Sequence, residues 1–86
     1  MYEVFFSKKA ISDIPKLKAA NLIDKAKALE NIIRDNPLKN PPPYEKLQGS
    51  AQGLYSRRIN IKHRLVYQVF ETEKIVKIIR MWSHYE

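Results

Sequence analysis

Three runs of strand-forming residues follow one another in the second half of the chain, and this order restricts the folds that the chain can adopt. They are LYSRRI from Leu54, RLVYQVF from Arg64 and KIVKIIRMW from Lys74, and only short polar links separate them. Links this short join antiparallel neighbours, because a parallel pair needs a long crossover connection. The sequence therefore predicts an antiparallel β-meander, to which YEKL at residues 44–47 can add a short edge strand.

The first half of the chain has the spacing of one strand followed by two helices. YEVFF at residues 2–6 is aromatic and β-branched, and Ser7 after it is a favourable helix N-cap. Apolar residues then recur at helical spacing in two segments. Asn21 is predicted to cap the second helix, which should end near Asn36 because a proline follows. Pro15 is expected to kink or shorten the first helix.

The order of these elements defines the fold class. NPPP at residues 40–43 is predicted to be an extended, stiff connector that separates the helices from the later strands. The chain is thus expected to be α+β, with an N-terminal strand, two helices and then an antiparallel β-meander, the helices packing on one face of the twisted sheet. A length of 86 residues suits one core, so a single domain over residues 1–86 is expected.

Positive charge dominates the chain and is concentrated in its second half. The formal net charge is +7, which favours polyanions or an acidic protein as partners. No acidic residue occurs between Glu45 and Glu71. The cations that fall in this stretch are Lys46, Arg57, Arg58, Lys62 and Arg64.

Composition narrows the remaining function classes. The chain has no cysteine and only two well-separated histidines, so it offers no disulfide and no metal-ligand spacing, and no cofactor is expected. No apolar run approaches the roughly 18 residues of a membrane span, and the N-terminus lacks the order of a signal peptide. A cytoplasmic protein without a membrane partner is expected.

The meander brings candidate catalytic side chains to one edge of the predicted sheet. Arg64 at the start of one strand should lie beside His84 at the end of the next, with Arg58 close by. Arginine grips phosphate through two hydrogen bonds, and histidine can carry a proton near neutral pH. Glu45 is the only carboxylate near the basic stretch. Together these residue types can supply the acid, base and cation that metal-free RNA cleavage requires.

Each candidate also has an ordinary structural interpretation. Glu45 can simply be an exposed strand residue, and Tyr85 can be either a loose tail or a base-stacking contact. Neighbours in a strand point to opposite faces, so only one of Arg57 and Arg58 is expected to serve a site, and Arg58 is preferred. His63 is interpreted as a turn residue.

Short motifs along the chain resemble a known protein family. PYEKL, GLYSRRI, HRLVYQV and a final HY occur in the order and spacing of the YoeB/Txe toxins, within the RelE-like superfamily. The resemblance covers nearly the whole chain. It implies a RelE-like, microbial-RNase-like fold and a bacterial toxin that cuts mRNA in the A site of the 70S ribosome and blocks translation. It also implies a cognate acidic antitoxin of the YefM/Axe type, and leaves open a homodimer or a toxin–antitoxin hetero-oligomer.

The same resemblance implies the catalytic roles. Glu45 matches the family's general base, Arg64 its phosphate-stabilising arginine and His84 its general acid. Two positions depart from the family pattern, because Gln48 stands where some relatives carry lysine and Glu86 extends past the usual terminal His–Tyr.

Substrate contacts are implied in the same way. Arg58, the second arginine of SRR, and Tyr85, the terminal tyrosine, are expected to bind the RNA. Arg57 is implied as a companion of Arg58, and Lys46 would add to the positive field.

Two other functions fit a small basic domain. The chain could be a noncatalytic RNA- or ribosome-binding module that inhibits by occupancy, or a scaffold for an acidic protein alone. Replacing His84 by Gln separates the first alternative from a nuclease, because occupancy predicts that inhibition is unchanged. A scaffold would cause no toxicity on induction.

Overall fold

The first strand leads directly into a capped helix. The computed structural model describes residues 1–47 and 53–84, with the backbone alone at 83 and 84. Strand β1 spans Glu3–Phe6 and helix α1 spans Lys8–Ala19. The Ser7 hydroxyl accepts a hydrogen bond of 3.0 Å from the Ala10 N–H, which confirms the predicted N-cap. Pro15 lies inside α1 and does not end it, because packing of the helix on the sheet outweighs the lost hydrogen bond.

Helix α1 ends in a Schellman motif built on Asn21. This residue has a left-handed backbone (φ 59°), and the Leu22 N–H reaches back to the Leu17 carbonyl at 2.8 Å. Asn21 therefore closes the first helix and does not cap the second, so that prediction was wrong. Helix α2 spans Ile23–Asp35 and ends at Asn36, as predicted.

In the described part of the chain, the strands form one mixed five-stranded sheet. Strand β2 spans Glu45–Lys46, β3 Leu54–Arg58, β4 His63–Phe70 and β5 Ile75–His84. The order is β1-β5-β4-β3-β2, and the pairs from β2 to β5 are antiparallel, which confirms the predicted meander. Strand β1 joins the edge of β5 in parallel, because the two helices carry the chain back before the meander begins.

The helices cover one face of this sheet, as the α+β prediction requires. The strand residues buried on that face are Leu65, Tyr67, Val69, Val76 and Ile78. From the helices, Ala10, Leu17, Ala26 and Ile33 complete the core. Within the described ranges, no helix has both the length and the apolar character needed to cross a membrane.

The proline connector differs from its predicted form. Residues 40–42 bend, so the segment does not run extended, and the Asn40–Pro41 and Pro41–Pro42 peptide bonds are cis. As predicted, this segment forms no part of the strand ladder.

Gly53 directly precedes β3 and lies close against the backbone of β4. Its φ is +75°, and the Val69 N–H donates to its carbonyl at 2.9 Å. A Cβ added at Gly53 would lie 2.6 Å from the Val69 carbonyl oxygen. Both the backbone conformation and the close approach therefore require glycine here.

Strand β5 is bulged where it passes the first half of β4. Tyr67 pairs with Ile78, Val66 with Arg80 and Arg64 with Ser83, so the register shifts twice. Strict alternation along β5 is interrupted here, because extra residues on β5 shift its register against β4. The bulges decide which residues of β5 stand opposite Arg64.

Candidate active site

An ion pair between β4 and β2 forms the centre of the site. Arg64 Nη1 donates to Glu45 Oε1 at 2.9 Å and to the Ser56 hydroxyl at 3.2 Å. The strand register explains this contact, because Glu45 pairs with Ser56 across the sheet and Ser56 pairs with Val66, two residues after Arg64. The Arg64 side chain is 13% exposed and that of Glu45 is 51% exposed. The guanidinium is thus the fixed partner and the carboxylate the accessible one.

A cavity of about 350 Å³ opens beside this ion pair. Its lining residues are Pro43, Tyr44, Glu45, Ser56, Arg58 and Arg64. The volume lies within the range of small-ligand sites and is large enough for a nucleotide. Three residues predicted from the sequence, Glu45, Arg58 and Arg64, therefore meet at one cavity. Among the side chains of residues 1–47 and 53–82, no three His, Cys, Asp or Glu groups cluster closely enough to hold a metal ion.

The end of β5 lies next to the start of β4, as the meander predicts. His84 pairs with His63 and Ser83 pairs with Arg64 through their backbones. The His84 side chain lies outside the described residues, so its role stays a prediction. Three other residues named from the sequence also lie outside them: Gln48, Tyr85 and Glu86.

Arg57 is buried on the other side of the sheet from the cavity. Its side chain is among the largest fully buried ones, and its Nε donates to the Tyr67 hydroxyl at 3.1 Å. Its terminal nitrogens donate to the carbonyl oxygens of Pro37, Lys39 and Pro42, at 3.0, 2.9 and 2.6 Å. These bonds fix the connector that leads into Tyr44 and Glu45. Such a buried guanidinium has no surface to offer RNA, so the geometry argues for a structural role of Arg57.

Tyr67 completes this buried cluster. Its hydroxyl donates to the Pro37 carbonyl at 2.7 Å. Burial raises the pKa of Tyr67, and the neighbouring charge and hydrogen bond of Arg57 offset only part of that rise. The phenol therefore stays a hydrogen-bond donor at neutral pH.

The alternation of side chains along the strands places the remaining cations on different faces of the sheet. Arg58 is exposed and lines the cavity, whereas Arg57 before it points into the interior. Lys46 is exposed and pairs with Tyr55, so it leaves the sheet on the opposite side from Glu45. Lys46 can contribute to the field near the site but is not a wall of the cavity.

Asp13 is a buried carboxylate that the sequence analysis missed. Its Oδ2 accepts hydrogen bonds from the Met81 N–H at 2.9 Å, the Trp82 N–H at 3.2 Å and Arg80 Nε at 3.1 Å. Lys16 Nζ lies 3.7 Å from the other carboxylate oxygen. Burial alone raises the pKa of Asp13, but the bond from Met81 and the bond and charge of Arg80 outweigh it, so the net pKa is below the usual value.

The signal for Asp13 was present in the sequence. Asp13 lies three residues after Ala10 and four before Leu17, on the stripe that helical spacing assigns to the core. An acid on an apolar stripe must have partners when it is buried. The donors that hydrogen-bond to it are 67 to 69 positions away in the chain, which local patterns do not connect.

His63 is a core-edge residue and not a turn residue, so that interpretation was wrong. It begins β4, is 6% exposed and stacks on Trp82 with ring centroids 3.8 Å apart and planes 18° apart. The stack lies directly beside the bulged end of β5. It joins the start of β4 to the segment that Asp13 holds.

Comparison with known proteins agrees with this fold. The family model for the YoeB-like toxin of bacterial type II toxin-antitoxin systems matches residues 6–85. A Toxin YoeB from Synechocystis sp. is 36% identical over 75 residues, covering 87% of this chain and 78% of that protein.

Solved structures extend the likeness to the whole fold. The YoeB-YefM complex from Staphylococcus aureus contains a chain that is 34% identical, with a TM-score of 0.79 and 99% of each chain covered. The YoeB/ParE toxin from Agrobacterium tumefaciens is 25% identical, with a TM-score of 0.84 and coverage of 96% of this chain and 99% of that chain. The fold is thus that of a RelE-like toxin. This chain belongs to the YoeB-like toxins of bacterial type II toxin–antitoxin systems.

Proposed function

We propose that this toxin is a ribosome-dependent endoribonuclease that cleaves mRNA in the ribosomal A site and so blocks translation. The observation that carries the proposal is the contact between Arg64 and Glu45 at the wall of a cavity that Arg58 also lines. A cation and a carboxylate held together at an open, nucleotide-sized cavity are the groups that phosphodiester cleavage by a 2′-hydroxyl needs. Membership of a toxin family supports the biological setting.

Substrate entry begins with competition for Arg64. A phosphodiester oxygen takes the place of the Glu45 carboxylate on the guanidinium, while the Ser56 hydroxyl continues to hold Arg64 from the other side. Glu45 is the more exposed partner and moves away. Its carboxylate is then available as the general base for the 2′-hydroxyl proton, and Arg64 stabilises the negative charge that builds on phosphorus.

The cleavage step needs no reagent other than the RNA and the side chains of the site. The 2′-oxygen forms a bond to phosphorus as its proton passes to Glu45, and the bond from phosphorus to the 5′-oxygen breaks. His84, as general acid, gives a proton to the departing 5′-oxygen. The products are a 2′,3′-cyclic phosphate and a 5′-hydroxyl, formed without a metal ion.

The other cavity residues bind the RNA. Arg58 contacts the phosphate backbone, Tyr85 stacks on a base and Lys46 adds to the positive field. The ribosome positions the mRNA, so the free protein cuts naked RNA poorly. A cognate acidic, YefM-like antitoxin neutralises the toxin by covering this positively charged surface in the bacterial cytoplasm.

Primer-extension mapping of mRNA in a translating extract tests the proposal. The native chain should arrest growth on induction and produce cuts within A-site codons, and His84→Gln should keep ribosome binding but lose the cuts. Inhibition by His84→Gln at the native level would support occupancy and reject the nuclease. An mRNA with one 2′-deoxynucleotide at the mapped position should resist cleavage, because it lacks the attacking hydroxyl.

A further inference from the structure

Helix α1 takes the place of a neighbouring strand along the second half of β5. Strand β1 pairs with β5 only as far as Ile78. Beyond that point, the Ser7 N–H donates to the Ile78 carbonyl at 2.9 Å and the Ser7 hydroxyl donates to the Ile79 carbonyl at 2.7 Å. Asp13, two turns further along α1, then binds the N–H groups of Met81 and Trp82. The helix and its N-cap thus satisfy the strand edge with the Ser7 N–H and with the side chains of Ser7 and Asp13.

The bonds of Asp13 fall on the bulge itself. The register shift between Arg64 and Val66 leaves Met81 and Trp82 without a regular pair on β4. Buried backbone N–H groups in a bulge must find another acceptor. One oxygen of Asp13 serves both of them and also accepts from Arg80.

Positive charge and ring stacking also hold the carboxylate and the bulge in place. Lys16 and Arg80 surround Asp13 with positive charge, so the buried group is paired. On its other side, Trp82 stacks on His63, the first residue of β4. The bulge is therefore fixed from α1 and from β4 at once.

We propose that Asp13 is a positioning residue for catalysis, which fixes the bulged register of β5 and thereby sets where the strand carries His84 relative to Arg64. The inference rests on the proposed nuclease function. A one-residue slip in a strand sends every following side chain to the other face. Without its acceptor the bulge can relax toward a different register, and the last residues of β5 then stand beside different residues of β4.

The test compares Asp13→Asn with a matched control, Asp24→Asn, an exposed carboxylate in the first turn of α2. Asparagine has the same size but replaces one acceptor oxygen with a donor and removes the charge that Arg80 and Lys16 meet. Trp82 is the only tryptophan, so its fluorescence reports the stack on His63. Amide hydrogen exchange at Met81 and Trp82 reports the bulge directly.

The expected result for folded Asp13→Asn is at least a tenfold fall in single-turnover A-site cleavage, with ribosome affinity within about threefold of native. Trp82 emission should shift, and the amides of Met81 and Trp82 should exchange faster. Asp24→Asn should match the native chain in all measurements. Native cleavage by folded Asp13→Asn, or a loss explained entirely by the unfolded fraction, would overturn the inference.

A second variant covers the case in which Asp13→Asn does not fold. Asp13→Glu keeps the charge and the acceptor oxygens but moves them by one methylene, so it should fold and still cleave several-fold more slowly. Cleavage by Asp13→Glu at the native rate would overturn the positioning role. If the native chain itself does not cleave mRNA, the proposed function fails. The Asp13 inference is then decided by Trp82 emission and amide exchange, and unchanged values in the variants would reject it.

Discussion

Arg64 donates to Glu45 at 2.9 Å although 19 positions separate the two residues in the chain. Two successive antiparallel pairings, of β2 with β3 and of β3 with β4, bring them together. The carboxylate is half exposed, and partly exposed ion pairs contribute at most about 1 kcal/mol to the free energy of unfolding. The contact therefore matters far more for the chemistry of the cavity than for the stability of the fold.

Glu45→Gln should separate catalysis from stability. The amide keeps a hydrogen bond to Arg64 but cannot take a proton, so the single-turnover cleavage rate on programmed ribosomes should fall by about 10² to 10⁴. The free energy of unfolding in urea should change by less than about 1 kcal/mol. Cleavage by Glu45→Gln within a few-fold of native would exclude Glu45 as the base.

The same substitution should lower the free energy of unfolding strongly at Arg57 and hardly at its neighbour Arg58. Arg57→Met leaves the part-buried carbonyls of Lys39 and Pro42 without this donor, and each such loss costs about 1–3 kcal/mol, so the free energy of unfolding should fall by about 2 kcal/mol or more. Arg58→Met removes an exposed cation, so the free energy of unfolding should change by less than about 0.5 kcal/mol. Urea unfolding measures both effects.

Cleavage assays complete this matched pair. Arg58→Met should weaken binding to programmed ribosomes and reduce cleavage, because it removes a cation from the cavity wall. Arg57→Met, assayed in the folded state, should bind RNA with native salt dependence. A reduced salt slope for Arg57→Met would instead place that guanidinium at the RNA.

Asp13 should make part of the free energy of unfolding depend on pH. Its folded-state pKa is depressed, so its contribution is fully present above the ordinary value of 3.8 and is lost as pH falls through the lower folded value. Asp13→Asn should lower the free energy of unfolding by about 2–3 kcal/mol at pH 7, because hydrogen bonds to a buried carboxylate are lost. The difference from native should shrink below pH 3.8 in urea titrations. A constant difference across pH would contradict the assignment.

Gly53→Ala should destabilise the chain without touching the cavity. The positive φ and the approach of Val69 both oppose a side chain, so a loss of about 1–3 kcal/mol is expected. Thermal and urea unfolding measure it. A neutral effect would show that the backbone at Gly53 can move away from β4.

Local patterns in the sequence were enough for the elements and for part of the site. Alternation and short links predicted the meander, and the meander predicted that the start of β4 lies beside the end of β5. The same alternation explains why Arg58 reaches the cavity and Arg57 does not. These features depend on residues close together in the chain.

Features that depend on distant contacts were not predicted. The parallel pairing of β1 with β5 follows from the path of the two helices, which strand patterns do not encode. The bulge at Met81 and Trp82 is bonded by Asp13, which lies 68 positions before Met81. Asn21 was assigned to the wrong helix, because asparagine suits both an N-cap and a left-handed helix end.

The most direct test of the account is single-turnover cleavage of an A-site mRNA by native chain, Arg64→Ala and the control Arg34→Ala. Arg34 is also ion-paired, but to Glu30 on α2, away from the cavity. Arg64→Ala should cleave about 10² to 10³ more slowly with ribosome affinity within about threefold of native, and Arg34→Ala should be unaffected. Cleavage by folded Arg64→Ala at the native rate, or a loss fully matched by weaker ribosome binding, would contradict a catalytic role for the Arg64–Glu45 site.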